Sequence, residues 1–238
     1  MYVTILVTIG IPLLITVGYL HFKRSPAFRA EAKIMLESNP FVRRVLVNSE
    51  LTLKLNTKLM ELILKMFPNA QFIHIIRDGR DCALSMLERK NDLKIFNVYH
   101  AAKTWVQYVG AGQQSGKRLP KDTYFELYYE DLISNPTNKL KEVCNFIGEN
   151  FEDNMINFKK SQDPNCKTPL LKKPIQSSNS EKWRDKMTTW QLHIFESVAG
   201  STLKLNNYPV STSCKTMPLP IRALYRAHER YSRWANKY

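Results

Sequence analysis

The segment FPNAQFIHIIRDGRDCALSM, residues 67–86, is the most informative part of the chain. Its QFIHII portion at 71–76 is a short apolar run between a Pro-Asn turn and charged residues, which is typical of a buried parallel strand. Residues 81–90 follow at once, contain no Gly or Pro, and mix apolar with polar side chains, so they predict a helix. A strand that turns directly into a helix indicates an α/β fold with a mainly parallel sheet.

The alternation of helices and strands continues on both sides of this segment. Apolar spacing predicts helices over 53–66, 99–113, 136–147 and 189–205 and a strand over 123–129. We therefore predict a three-layer α/β domain over 48–210, in which 72–76 forms a central strand. A basic C-terminal segment over 211–238 follows, and its aromatic helix is expected to pack outside the sheet.

The first 22 residues carry no formally charged side chain and are dominated by Ile, Leu, Val and Thr. At about 1.5 Å per residue this run is long enough to cross a bilayer as a helix, so we predict a single-pass transmembrane anchor over 1–22 and a membrane localisation. The basic juxtamembrane segment over 23–47 favours a cytoplasmic catalytic part. A signal peptide, a buried helix or an incorrectly assigned start are the alternatives.

Composition limits the class of partner. Lys and Arg number 35 against 21 Asp and Glu, a formal net charge of +14, which favours nucleotides, anionic polymers or anionic lipids. The four cysteines include no C-x-x-C pair and the histidines do not cluster near them, so no metal site is predicted. Nucleic-acid binding is disfavoured, because no basic stripe with interleaved stacking aromatics occurs outside the C-terminal helix.

The turn after the predicted strand has the groups that a phosphate site requires. A helix N-terminus offers unpaired N–H groups, Gly79 lets the backbone approach closely, and Arg77 can donate two hydrogen bonds to phosphate oxygens. Ser85 adds a hydroxyl within the helix. The alternative is an ordinary turn with Asp81 as the N-cap. Arg80 lies past the end of the strand and is expected to face solvent.

This segment resembles the 3′-phosphate-binding motif of sulfotransferases that use 3′-phosphoadenosine-5′-phosphosulfate (PAPS). In that motif an arginine at a strand end and a serine eight residues later hold the 3′-phosphate, and Arg77 and Ser85 stand in those positions. Residues 123–158 are similar to the family's strand, Tyr-Glu-Asp turn and helix, which implies that Tyr129 lies beside the adenine.

Residues 173–209 resemble the closing segment of the same family, in which a Trp-Arg loop covers the nucleotide. The resemblance implies that Ser180, Lys182 and Arg184 contact the nucleotide. It also implies a P-loop-like sulfotransferase domain that uses PAPS as co-substrate. The acceptor would be a hydroxyl or amine on a carbohydrate, a protein or a small molecule.

Two departures from the family bear on catalysis. A Glu-Lys-Thr-Pro element precedes the Phe-Pro step in the most similar branch, which implies Glu50 as the catalytic base, although Leu51 and Leu53 replace the lysine and the proline. The Arg-Ser-Gly-Thr-Thr-like loop that binds the 5′-phosphosulfate is not found in residues 1–47. The alternative function is therefore a non-catalytic or truncated module that binds a nucleotide or an anionic polymer.

Overall fold

The computed structural model describes residues 3–9, 60–61, 63–65, 68–156, 180–211 and 216–236. Its strands are β1 (Val3–Ile9), β2 (Ala70–Ile76) and β3 (Tyr124–Tyr128). They form a parallel sheet in the order β1-β2-β3, so the predicted strand at 72–76 is confirmed as the central one among them.

The helices of the described residues follow the predicted alternation. They are α1 (Gly79–Glu88), α2 (Lys90–Leu93), α3 (Val98–Gly116), α4 (Tyr129–Ser134), α5 (Pro136–Ile147), α6 (Trp183–Lys186), α7 (Thr189–Leu205) and α8 (Leu219–Ala235), with a 3-10 turn at Asp153–Met155. Residues 60–61 and 63–65 are helical, within the helix predicted over 53–66. The predicted basic segment over 23–47 lies outside the described residues.

Two helices have the predicted bounds to the residue, because their ends carry strong local signals. Helix α5 begins at Pro136, after the N-cap Asn135, and ends at Ile147, where the C-cap Gly148 has a left-handed φ of 72°. Helix α7 begins with a capping box between Thr188 and Gln191. These signals are local in sequence and do not depend on the rest of the fold.

Helices cover both faces of the sheet, which gives three layers. On one face, Gly112 of α3 lies directly against His74 of β2. On the other face, the Gln71 side chain donates a 2.6 Å hydrogen bond to the Phe146 carbonyl at the end of α5, and the rings of Phe125 and Phe146 are 5.3 Å apart. The main core lies between the sheet, α1, α3 and α7, around the fully buried Trp105 and Phe195.

The transmembrane helix predicted over 1–22 is wrong, because Val3–Ile9 is the strand β1. It pairs in parallel with β2, from Val3 opposite Ala70 to Ile9 opposite Ile76. A continuous apolar run is typical both of a membrane helix and of a buried parallel strand. Six of the seven residues in β1 are β-branched, which favours the strand. Within the described part of the chain, no helix is long and apolar enough to span a membrane.

Candidate functional site

The carboxyl ends of β2 and β3 bring two of the predicted site residues together. The strands are in register at Ile76 and Tyr128, so Arg77 and Tyr129 lie side by side one position further on. The guanidinium carbon of Arg77 is 4.6 Å from the centre of the Tyr129 ring, and Arg77 is only 9% exposed. Ligands of open parallel sheets bind outside the carboxyl ends of the strands.

Helix α1 starts immediately after Arg77, and its first residues are fixed by the core. Asp78 is the N-cap, since its side chain accepts a 2.9 Å hydrogen bond from Arg80 N, whereas the sequence alternative assigned the cap to Asp81. A Cβ atom on Gly79 would collide with the Trp105 ring. Gly79 therefore allows α1 to pack closely against the Trp105 ring in the core.

Arg80 is 1% exposed, so the prediction that it faces solvent is wrong. Its Nε and Nη2 donate to the two carboxylate oxygens of Asp78 at 3.0 and 2.7 Å. Its Nη1 donates to Glu196 Oε1 at 3.0 Å and to the Pro209 carbonyl at 2.8 Å. The guanidinium carbon lies 3.7 Å from the centre of the Trp183 ring. We call Asp78, Arg80, Trp183 and Glu196 the Arg80 cluster.

Asp81 is also 1% exposed and lies beside Arg77. Its Oδ2 is 3.6 Å from Nη2 of Arg77, and its Oδ1 accepts a 2.9 Å hydrogen bond from the backbone N–H of Trp183. Burial raises the pKa of Asp81, while Arg77 and the Trp183 N–H oppose that rise. We call Arg77, Asp81 and Tyr129 the Arg77 cluster.

Ser85 lies on the same face of α1 as Asp81, one turn further along, and is half-buried. Helix α6 runs beside this face, since Lys186 Nζ is 3.6 Å from Glu88 Oε1 at the far end of α1. Ser85 is therefore positioned between two contacts that join α1 to the segment containing α6. That Ser85 shares a site with Arg77 and this segment stays a prediction.

The predicted contact residues of the 180–184 segment differ in exposure. Ser180 and Lys182 are half-buried, whereas the side chain of Arg184 is 50% exposed. Arg184 donates to Glu181 Oε1 from Nε at 3.1 Å and from Nη2 at 2.7 Å. Its guanidinium carbon is 4.6 Å from the centre of the Trp183 ring, which Arg80 also contacts. The candidate base Glu50 lies outside the described residues.

Two residues near the site, Glu130 and Tyr208, were not predicted from the sequence. Glu130 Oε1 accepts a 2.9 Å hydrogen bond from Asp78 N, and its Oε2 accepts one of 2.9 Å from the Tyr208 hydroxyl. Burial raises the pKa of Glu130 and of Tyr208. Glu130 thus ties the end of β3 to the start of α1. The Tyr-Glu-Asp turn in the sequence could have indicated Glu130. A carboxylate at a strand end can accept hydrogen bonds from backbone N–H groups at a neighbouring helix N-terminus.

The fold and these contacts define an α/β protein whose strand ends carry a preorganised arginine. The chain belongs to the Sulfotransferase family, whose family model matches residues 23–153, more than half of the 238 residues. Among the described residues no group of three or more His, Cys, Asp or Glu side chains could hold a metal ion.

Similar curated proteins are named as protein-tyrosine sulfotransferases. The chain is 25% identical over 145 residues to the protein-tyrosine sulfotransferase of Drosophila melanogaster, covering 56% of this chain and 28% of the relative. It is 30% identical over 103 residues to a putative protein-tyrosine sulfotransferase of Caenorhabditis elegans, covering 40% of this chain and 37% of the relative. The chain therefore spans well under half of the length of these relatives.

A solved structure has a similar fold. The sulfotransferase domain from the curacin biosynthetic pathway matches with a TM-score of 0.51 and 17% sequence identity, over 61% of this chain and 56% of that one. At this identity the likeness shows the fold alone.

Proposed function

We propose that this chain is part of a sulfotransferase and that the carboxyl end of β2 binds the nucleotide of PAPS. In this proposal Arg77 and Ser85 hold the 3′-phosphate, and Tyr129 lies beside the adenine. Ser180, Lys182 and Arg184 would contact the nucleotide from the segment alongside α1. The observation that carries the proposal is the position of Arg77, which lies against Tyr129 at the strand ends and beside the first turn of a helix.

The donor set suits a phosphate group. A guanidinium presents two parallel N–H groups to phosphate oxygens, and contact with an aromatic ring restricts its orientation before a ligand arrives. Arg77 is 9% exposed, so water screens its charge less than at the surface. The Asp81 carboxylate at 3.6 Å opposes an incoming anion, and the proposal assigns the compensating positive charge to Lys182 and Arg184.

The proposed reaction forms a bond between the acceptor oxygen and the sulfur of PAPS and breaks the bond from that sulfur to the 5′-phosphate oxygen. The products are a sulfate ester and 3′,5′-adenosine bisphosphate, and the acceptor proton passes to a base. We propose Glu50 for that base. The names of the relatives suggest a tyrosine hydroxyl of a protein as the acceptor.

The first test is a calorimetric titration of the protein with 3′,5′-adenosine bisphosphate, which needs no knowledge of the acceptor. Arg77→Ala should weaken binding by more than tenfold, because loss of a charged partner of a partly buried phosphate costs about 2–5 kcal/mol and about 1.4 kcal/mol is one decade. Arg118→Ala is the matched control, since this arginine is exposed beyond the end of α3, away from the strand ends. Equal affinities of both variants and the wild type would refute the phosphate site.

A non-catalytic module is the second candidate, because no Arg-Ser-Gly-Thr-Thr-like loop occurs in residues 1–47. The two candidates differ in turnover. Transfer of labelled sulfate from PAPS to a tyrosine peptide, abolished by Glu50→Gln with bisphosphate affinity unchanged, would support the enzyme. Binding of the bisphosphate without any transfer would support the module.

A further inference from the structure

Asp81 contacts both sides of the candidate nucleotide site. It is 1% exposed in the first turn of α1. Its Oδ1 accepts the 2.9 Å hydrogen bond from Trp183 N, and its Oδ2 is 3.6 Å from Arg77 Nη2. One side chain thus links the strand-end arginine to a segment that follows 102 residues later.

The segment that Asp81 contacts has little structure of its own to hold it. Helix α6 has only four residues, and its N-cap residue, Lys182, makes no side-chain capping hydrogen bond. The Trp183 N–H is one of the donors that the start of a helix leaves without an intrahelical partner. Glu181 has a φ of 58°, a left-handed conformation that costs a non-glycine residue about 1–2 kcal/mol and persists only where surrounding contacts impose it. Asp81 provides one such contact.

We propose that Asp81 is a positioning residue that holds residues 180–184 at a fixed distance from Arg77. This inference rests on the proposed function, because the proposed function places Arg77 and residues 180–184 on opposite sides of one phosphate site. Asp81 then has two effects of opposite sign on nucleotide affinity. Its hydrogen bond to Trp183 N favours binding by positioning the segment, and its negative charge beside Arg77 disfavours an anion.

Two substitutions separate these effects. Asp81→Asn keeps an oxygen that can accept from Trp183 N and removes the charge, whereas Asp81→Ala removes both. In the bisphosphate titration, Asp81→Ala should bind at least about tenfold more weakly, which is about 1.4 kcal/mol. Asp81→Asn should bind as tightly as the wild type or more tightly. Asp185→Asn, which removes an exposed charge from α6, is the control and should change affinity by less than about twofold.

The outcomes distinguish this inference from the proposed function. If Arg77→Ala loses affinity and Asp81→Ala does not, the phosphate site stands and the positioning role is wrong. Equal weakening by Asp81→Asn and Asp81→Ala also overturns the role, because a positioning residue should be rescued by the amide. If no form of the protein binds the bisphosphate, both the proposed function and the positioning role fail.

Hydrogen exchange tests the hydrogen bond between Trp183 N and Asp81, and it requires neither a ligand nor a folded alanine variant. The Trp183 amide should exchange slowly in the wild type and in Asp81→Asn. If the Trp183 amide of the wild type exchanges as fast as an amide in an exposed loop, this hydrogen bond is absent in solution and the positioning role is wrong.

Discussion

The Arg80 cluster and the Arg77 cluster differ sharply, although their arginines are three residues apart in one turn. Arg80 is 1% exposed and donates to two carboxylates and a backbone carbonyl at 2.7 to 3.0 Å. Arg77 is 9% exposed, and its ion pair with Asp81 is longer, at 3.6 Å. The first arrangement is a closed structural network of short hydrogen bonds. The second contains this longer ion pair and lies at the strand ends, where ligands of such sheets bind.

This difference shows that residue type and spacing do not decide the role of an arginine in a strand-to-helix turn. The role depends on what the rest of the chain brings to it. Glu196 and Pro209 reach Arg80 from 116 and 129 residues away. Substitutions in the Arg80 cluster are therefore expected to change stability, and substitutions in the Arg77 cluster are expected to change ligand affinity.

The largest effect on stability is expected for Arg80→Met. The substitution keeps an unbranched side chain but leaves Asp78 and Glu196 buried without their cation, and breaking a buried pair in this way costs about 3–5 kcal/mol. Urea unfolding followed by circular dichroism measures this loss. Arg89→Met at the C-cap of α1 is the control, because Arg89 is half-buried, its 3.5 Å ion pair is with the exposed Asp92, and the pair should contribute less than about 1 kcal/mol. Similar losses in both variants would remove the distinction between the two clusters.

A smaller effect is expected from His74, which is fully buried on the α3 side of the sheet. Burial lowers the pKa of His74 to about 4 from an ordinary value of 6.5. Between these two values the unfolded chain binds a proton that the folded protein does not, so this residue makes stability fall as pH falls. Near pH 4.5 the loss relative to pH 7.5 should be about 2–3 kcal/mol.

The contribution of His74 is measured as a difference between two proteins. Urea unfolding of the wild type and of His74→Gln at pH 7.5 and pH 4.5 cancels the shared titrations, among them those of His100 and Glu229, whose pKa values burial also shifts. The wild type should lose about 2–3 kcal/mol more than the variant over this range. Parallel losses in the two proteins would show that His74 keeps its ordinary pKa and is solvated.

Much of the fold could be predicted from the sequence, because the local sequence signals agree with the packing of the core. Helices α5 and α7 combine clear periodicity with caps at their ends, and strand β2 is a short apolar run bounded by a turn and charged residues. Residues 3–9 were wrongly assigned to a membrane helix, because an apolar run has no period that separates a strand from a helix. The β-branched residues of β1 favour the strand, and its pairing with β2, which is not a local property, establishes it.

The candidate site was predictable only in part. Arg77 and Tyr129 meet because both follow strands that are adjacent and in register. The family resemblance, rather than a local pattern, predicted that these two residues share a site. The burial of Arg80 depends on Glu196, and the hydrogen bond that Asp81 accepts depends on Trp183. No spacing in the sequence connects either residue to the turn. Long-range contacts of this kind are where local patterns lose their predictive value.

The smallest effect on stability is expected for Arg184→Ala, and it sharpens the comparison because Arg184 and Arg80 both contact the Trp183 ring. The Arg184 side chain is 50% exposed and pairs with Glu181, which is 60% exposed, so solvent screens the pair. The free energy of unfolding should fall by less than about 1 kcal/mol. The bisphosphate affinity should fall at low salt and recover towards that of the wild type as salt screens the contact. A loss of stability as large as that of Arg80→Met would show that the ring contact, rather than the buried carboxylates, sets the strength of the Arg80 cluster.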